Sequence, residues 1–80
     1  MSNDTPNLQD SVRESMRVYF NDLDGTDPTN LHDMLVKAVE KPLLEMVMER
    51  AQNNQSRAAQ WLGINRNTLR KKLLEHGLAE

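Results

Sequence analysis

Apolar residues recur at helical spacing in several stretches of this chain, and the polar stretches between them are rich in residues that stop helices. From Asp10 to Leu23, the residues Val12, Met16, Tyr19, Phe20 and Leu23 keep to one face of a 3.6-residue turn. Ser11, with Glu14 three positions on, has the form of a capping box. The pattern predicts a helix over residues 10–23, preceded at residues 1–9 by a polar tail that holds Pro6 and has no apolar period. Such a tail is expected to be disordered. In residues 22–30, Gly25, Asp27 and Pro28 forbid continuation of the helix.

A second, longer helix is predicted over residues 31–51, with Asn30 as its cap and Asp33 near the favourable end of its dipole. Pro42 lies in its middle. Proline removes the N–H that would bond the carbonyl four residues back, so a kink within one helix is expected, because both flanks read as helix and carry no turn cluster. After Pro42 come Leu43, Leu44, Met46, Val47 and Met48, which cover far more than one stripe. A helix apolar around most of its circumference is buried on several sides. One chain of 80 residues offers little to cover it, so the expectation is a homodimer in which the first two helices of two subunits interleave.

The last third, residues 53–80, reads as two short helices joined by a tight turn. Asn53 or Asn54 can cap the first, and Gly63 ends it by entering the left-handed region without steric cost. Asn65 caps a second helix that starts at Arg66, runs to about His76 and stops at Gly77. Ala58 and Ala59 permit a close crossing, while Ile64, Leu69 and Leu73 supply apolar contacts. The single tryptophan, Trp61, is expected to pack against the long helix or the dimer core. The whole is all-α, with four helices per chain: a dimerisation region at 10–52 and a helix-turn-helix at 53–80.

Charge sharpens this picture. The formal net charge is −2, but residues 1–49 hold four Lys and Arg against ten Asp and Glu, and residues 50–80 hold six against two. A basic end on an acidic body concentrates attraction for phosphates at one surface. In helix-turn-helix motifs the start of the second helix enters the major groove, where Arg grips guanine bidentately and Asn pairs with adenine. Arg66, Asn67, Thr68, Arg70, Lys71 and Lys72 make the first two turns of that helix polar. The alternative is a solvated basic helix on a helical domain. There is no cysteine, hence no disulfide framework and no thiolate metal site, and no cofactor is expected. No apolar run approaches the roughly 18 residues of a membrane span, and the polar amino terminus is unlike a signal peptide.

Residues 42–78, PLLEMVMERAQNNQSRAAQWLGINRNTLRKKLLEHGL, resemble the core of the Fis family of bacterial nucleoid-associated proteins, which bind and bend DNA as homodimers; residues 10–20, DSVRESMRVYF, are similar to that family's first helix. The resemblance implies an intertwined four-helix dimer core, double-stranded DNA as partner, and a cytoplasmic, nucleoid location. It implies base contact by Asn65 and Arg66. Backbone contact is implied for Asn54, Ser56 and Arg57 at the start of the first short helix, and for Thr68, Arg70, Lys71 and Lys72 beside the second. Asn67 departs from the glycine that familiar members carry. With about nine residues ahead of the first predicted helix, no β-hairpin arm and no stimulation of a DNA invertase through it are expected.

The string GINR-TLRKKL also resembles the DNA-binding domain of NtrC-type activators, which follows an ATPase domain not found here. A helical dimer that binds another protein is a further alternative. An enzyme is not expected: His32 and His76 are far apart, and neither lies in a metal-ligand spacing or near a phosphate loop. His76 is read as a dipole partner at a helix C-terminus, and His32 as a surface residue. RNA is disfavoured because its major groove does not admit a recognition helix.

Overall fold

The computed structural model describes residues 4–79. It contains four helices in the order α1 (Asp4–Leu23), α2 (Leu31–Arg50), α3 (Gln55–Leu62) and α4 (Arg66–Glu75), and no strand among the described residues. The all-α expectation of four helices is met. The chain divides into two compact units, residues 1–30 and residues 31–80.

The first unit holds α1, which begins at Asp4. This corrects the expected tail: residues 4–9 are helical, and only residues 1–3 of it lie outside the described residues. A proline in the first turn forfeits no helical hydrogen bond, because the N–H it lacks would have had no partner there. Ser11 and Glu14 therefore sit inside the helix rather than at its start. Glu14 pairs with Arg17 instead, and Arg13 donates to Asp10 at 2.8 Å. These pairs are exposed and contribute only tenths of a kcal/mol each. Val12, Met16, Tyr19 and Leu23 are half-buried, and the Tyr19 and Phe20 rings meet edge to face with centroids 5.9 Å apart.

The second unit holds α2, α3 and α4. Helix α2 runs unbroken through Pro42, as the absence of turn residues on either flank predicts. Asn30 does not take the extended conformation of an N-cap; its φ is +50°, a left-handed value that Asn tolerates better than most residues. Past Arg50 the chain ends α2 with paired reverse bonds: the Asn53 N–H reaches the Met48 carbonyl at 2.9 Å and the Gln52 N–H the Glu49 carbonyl at 3.1 Å. This is a Schellman closure. It places Gln52 and Asn53 at φ of 57° and 62°, positions where glycine would be unstrained.

The core of this unit is small and almost wholly aliphatic. Leu44 of α2, Ala51, Ala58 and Ala59 of α3, and Leu69 and Leu73 of α4 are buried, with Val47, Met48, Leu62, Ile64, Leu78 and Ala79 packed against them. The two alanines let α3 lie close to its neighbours, and Leu69 with Leu73 form the inward stripe of α4. Trp61 does not join this core. It is 55% exposed, because it sits roughly 100° around α3 from the centre of the stripe formed by Ala58, Ala59 and Leu62.

Within this unit, one face of α2 is not covered by α3 or α4. Val36, Val39, Leu43 and Met46 are each between 44% and 49% exposed, and their spacing of three, four and three residues is that of a helix-pairing seam. Leu44, on the other side, is the side chain α2 commits to the core.

Candidate nucleic-acid interface

The paired short helices are held by local hydrogen bonds that the sequence encodes residue by residue. Asn54 caps α3: its φ and ψ are −86° and 102°, and its Oδ1 accepts from the Arg57 N–H at 3.0 Å. Gly63 ends α3 at φ 75°. There the Ile64 N–H bonds the Ala59 carbonyl at 3.1 Å and the Gly63 N–H bonds that of Gln60 at 3.2 Å, a second Schellman closure. Asn65 caps α4, its Oδ1 accepting from the Asn67 N–H at 2.7 Å. Three residues, 63 to 65, thus turn the chain from one helix to the next.

These caps decide what each side chain can offer a ligand. Asn65 keeps its Nδ2 donor and one Oδ1 lone pair after capping. Arg66 is the first residue of α4 and is exposed, as are Asn67, Thr68, Arg70 and Lys71. At the start of α3, Asn54, Ser56 and Arg57 are also exposed. Among the described residues no acidic side chain lies in the first turn of α3 or α4, so the positive ends of both helix dipoles are unopposed by their own sequence. The surface is suited to anionic oxygen: guanidinium forks, an ammonium, amides, hydroxyls and helix N-termini.

Lys72 is placed differently from its neighbours. It lies on the inward stripe of α4 with Leu69, Leu73 and His76, three and four residues apart. Its Nζ donates to Glu40 Oε2 of α2 at 2.7 Å. The other carboxylate oxygen, Oε1, is 2.9 Å from His76 Nε2. The Glu40 side chain is 18% exposed, that of His76 10% and that of Lys72 33%, so the cluster is partly shielded from water. Hydrogen bonds from Lys72 and then His76 hold the Glu40 carboxyl below its ordinary pKa, and the bond to Glu40 raises that of Lys72. By charge alone Lys72 is indistinguishable in the sequence from the outward cations Arg70 and Lys71, and His76, at the C-terminal end of α4, gives no sign of a partner on α2. The helical period of α4, counted on from Leu69 and Leu73, was the available signal that both lie on its inward face. His32 is exposed, as read.

Fold and surface together define a three-helix unit ending in a helix-turn-helix with a cationic second helix. Residues 35–76 match the model of the bacterial regulatory protein, Fis family. The chain belongs to this family. It is 59% identical over 71 residues to a protein of Ralstonia nicotianae named "Putative Fis-like DNA-binding protein", covering 89% of this chain and 92% of that one. A protein of the same name from Neisseria meningitidis serogroup A is 50% identical over 78 residues, 98% of this chain and 99% of the relative. The DNA-binding protein Fis of Glaesserella parasuis is 48% identical over 71 residues, 89% of this chain and 72% of its own. No helix among the described residues is long and apolar enough to cross a membrane.

Proposed function

We propose that this chain binds double-stranded DNA as a homodimer, with α4 as the recognition helix in the major groove, and acts as a nucleoid-associated regulator of transcription in the bacterial cytoplasm. The observation that carries the reading is the one-sided chemistry of α4: Leu69 and Leu73 are buried while Arg66, Arg70 and Lys71 face solvent behind an Asn65 cap. Family membership supports it, since the relatives are named for DNA binding.

In this reading Asn65 and Arg66 meet base edges, Arg66 as the bidentate reader of guanine. Asn54, Ser56, Arg57, Thr68, Arg70 and Lys71 hold phosphates and set register without reading sequence. Residues 53–80 serve as the DNA-binding region and residues 10–52 as the dimerisation region, with the uncovered seam of Val36, Val39, Leu43 and Met46 as the part of α2 a second copy covers. Aliphatic burial of this kind is the main driving force for obligate dimers. Bending follows if the two recognition helices lie closer than the roughly 34 Å of one DNA turn, as the family resemblance implies. In this role the surface binds DNA and not a small-molecule substrate.

Sedimentation of the protein with and without a random duplex in dilute buffer tests the proposal. A dimer that co-sediments with DNA is expected; a lone subunit, or a dimer that leaves the duplex free, contradicts it. Circularly permuted probes test bending separately, with mobility that depends on site position as the expected result.

A further inference from the structure

We propose that Glu40 is a positioning residue for DNA recognition: by gripping Lys72 and His76 together it fixes the recognition helix against α2, and it takes Lys72 out of the phosphate-binding set. The inference rests on the DNA-binding reading above and extends it to a residue outside the cationic surface.

The geometry is that of a two-handed clamp. One carboxylate oxygen accepts from Lys72 at 2.7 Å and the other lies 2.9 Å from His76, and those two side chains are four residues apart, one helical turn, on a single face of α4. A carboxylate that engages one donor fixes a distance. Engaging two donors a turn apart also fixes the rotation and tilt of the helix that carries them. Because Glu40 stands on the helix that bears the exposed seam, the clamp ties the helix proposed for pairing to the helix proposed for reading bases. Base readout depends on placing an Arg fork to within a fraction of an ångström. Phosphate attraction does not.

This gives Glu40 two effects of opposite sign. Its negative charge, close to a cationic surface, opposes binding to any duplex. Its hold on α4 favours binding to the right one. Simple charge counting predicts that removing the carboxylate tightens all DNA binding. The positioning role predicts that random DNA tightens while a selected site weakens.

The test compares wild type, Glu40→Ala and Glu40→Gln for affinity to a random duplex and to a duplex enriched from a random pool by the wild-type protein. Far-UV circular dichroism verifies that each variant is helical. The expected result for Glu40→Ala is a fall of about tenfold in the ratio of selected to random affinity, the scale of one charge-assisted hydrogen bond, with a steeper salt dependence on random DNA. Glu40→Gln retains an acceptor oxygen and should recover part of the ratio. If selected and random affinities rise together, or the ratio is unchanged, Glu40 does not position α4. If the wild type binds no duplex at all, the DNA reading fails and this inference with it; wild-type binding with an unchanged ratio in the variants overturns this inference alone.

Lys72→Met offers a second route that leaves Glu40 in place. With Lys72 held by Glu40, its loss should leave the log–log salt slope unchanged. Lys71→Met, on the exposed face, should make that slope shallower by about 1.8 for a dimer, at about 0.9 per phosphate. Equal slope changes from Lys71 and Lys72 would overturn the assignment of Lys72 to the clamp.

Discussion

Helices α2 and α4 belong to one compact unit and treat their apolar residues in opposite ways. Helix α4 buries Leu69 and Leu73 and turns Arg66, Arg70 and Lys71 to water, with Leu74 near its end 46% exposed, so the outer face of its first two turns is finished for a polar or polyanionic surrounding. Helix α2 buries Leu44 and leaves Val36, Val39, Leu43 and Met46 about half exposed. The same hydrophobic effect acts on both. The difference teaches that the α4 stripe is satisfied within the subunit, whereas the α2 seam is complete only when something apolar covers it.

The most severe way to break the comparison is to damage the satisfied stripe. Leu73→Ala removes a side chain 1% exposed and should cost about 2 to 5 kcal/mol, most of the stability of so small a unit; thermal unfolding followed by circular dichroism reads it. Next is the unsatisfied seam. Leu43→Asp places a charge at its centre and should convert the dimer to monomers in sedimentation equilibrium, while Val36→Ala, at its edge, should only weaken association. A seam that serves no pairing would give a wild-type sedimentation profile for both. On the finished face, Arg66→Ala should cost on the order of 1 to 3 kcal/mol on a selected site and much less on random DNA. Equal losses on both would make Arg66 a phosphate contact.

Much of this contrast was legible in the sequence because it is local. Asn54, Gly63 and Asn65 fix where α3 and α4 begin and end through bonds to residues two to five positions away, and such signals survive without knowledge of the tertiary structure. Leu69 and Leu73 were legible by period. The start of α1 was not: Pro6 reads equally as a tail residue or as a first-turn residue, and only the helical backbone from Asp4 decides. Trp61 lies outside the core of its own unit: size suggests burial, while its angular position on α3 sets its exposure within the subunit. The ties from Glu40 to Lys72 and His76 span 32 and 36 positions. A charge count sees Lys72 as one more cation, and nothing in the local sequence names its partner.

Smaller effects sharpen that last point. A carboxyl whose pKa is lower in the folded than in the unfolded chain, as for Glu40, contributes stability that is present above its unfolded pKa and is lost as pH falls through the folded one. Lys72, raised, contributes stability present below its unfolded pKa and lost as pH rises through the folded one. The Glu40–Lys72 pair should therefore hold across neutral pH and fail at both extremes. Glu40→Gln should flatten the acid side of the stability profile more than Glu49→Gln does. Lys37 lines the same groove as His76 and makes a suitable control substitution. The smallest effect expected is a gain: Gln52→Gly at φ 57° should raise stability by up to about 1 kcal/mol, seen as a higher unfolding midpoint.

The salt dependence of duplex binding reports on the paired α4 helices themselves, because it counts the phosphates that two copies of the cationic face neutralise. With Arg57, Arg70 and Lys71 on phosphates in each of two subunits and Lys72 held by Glu40, the log–log slope should be about −5. A slope shallower than about −3, or no binding at low salt, would contradict a dimer that presents two α4 helices to DNA.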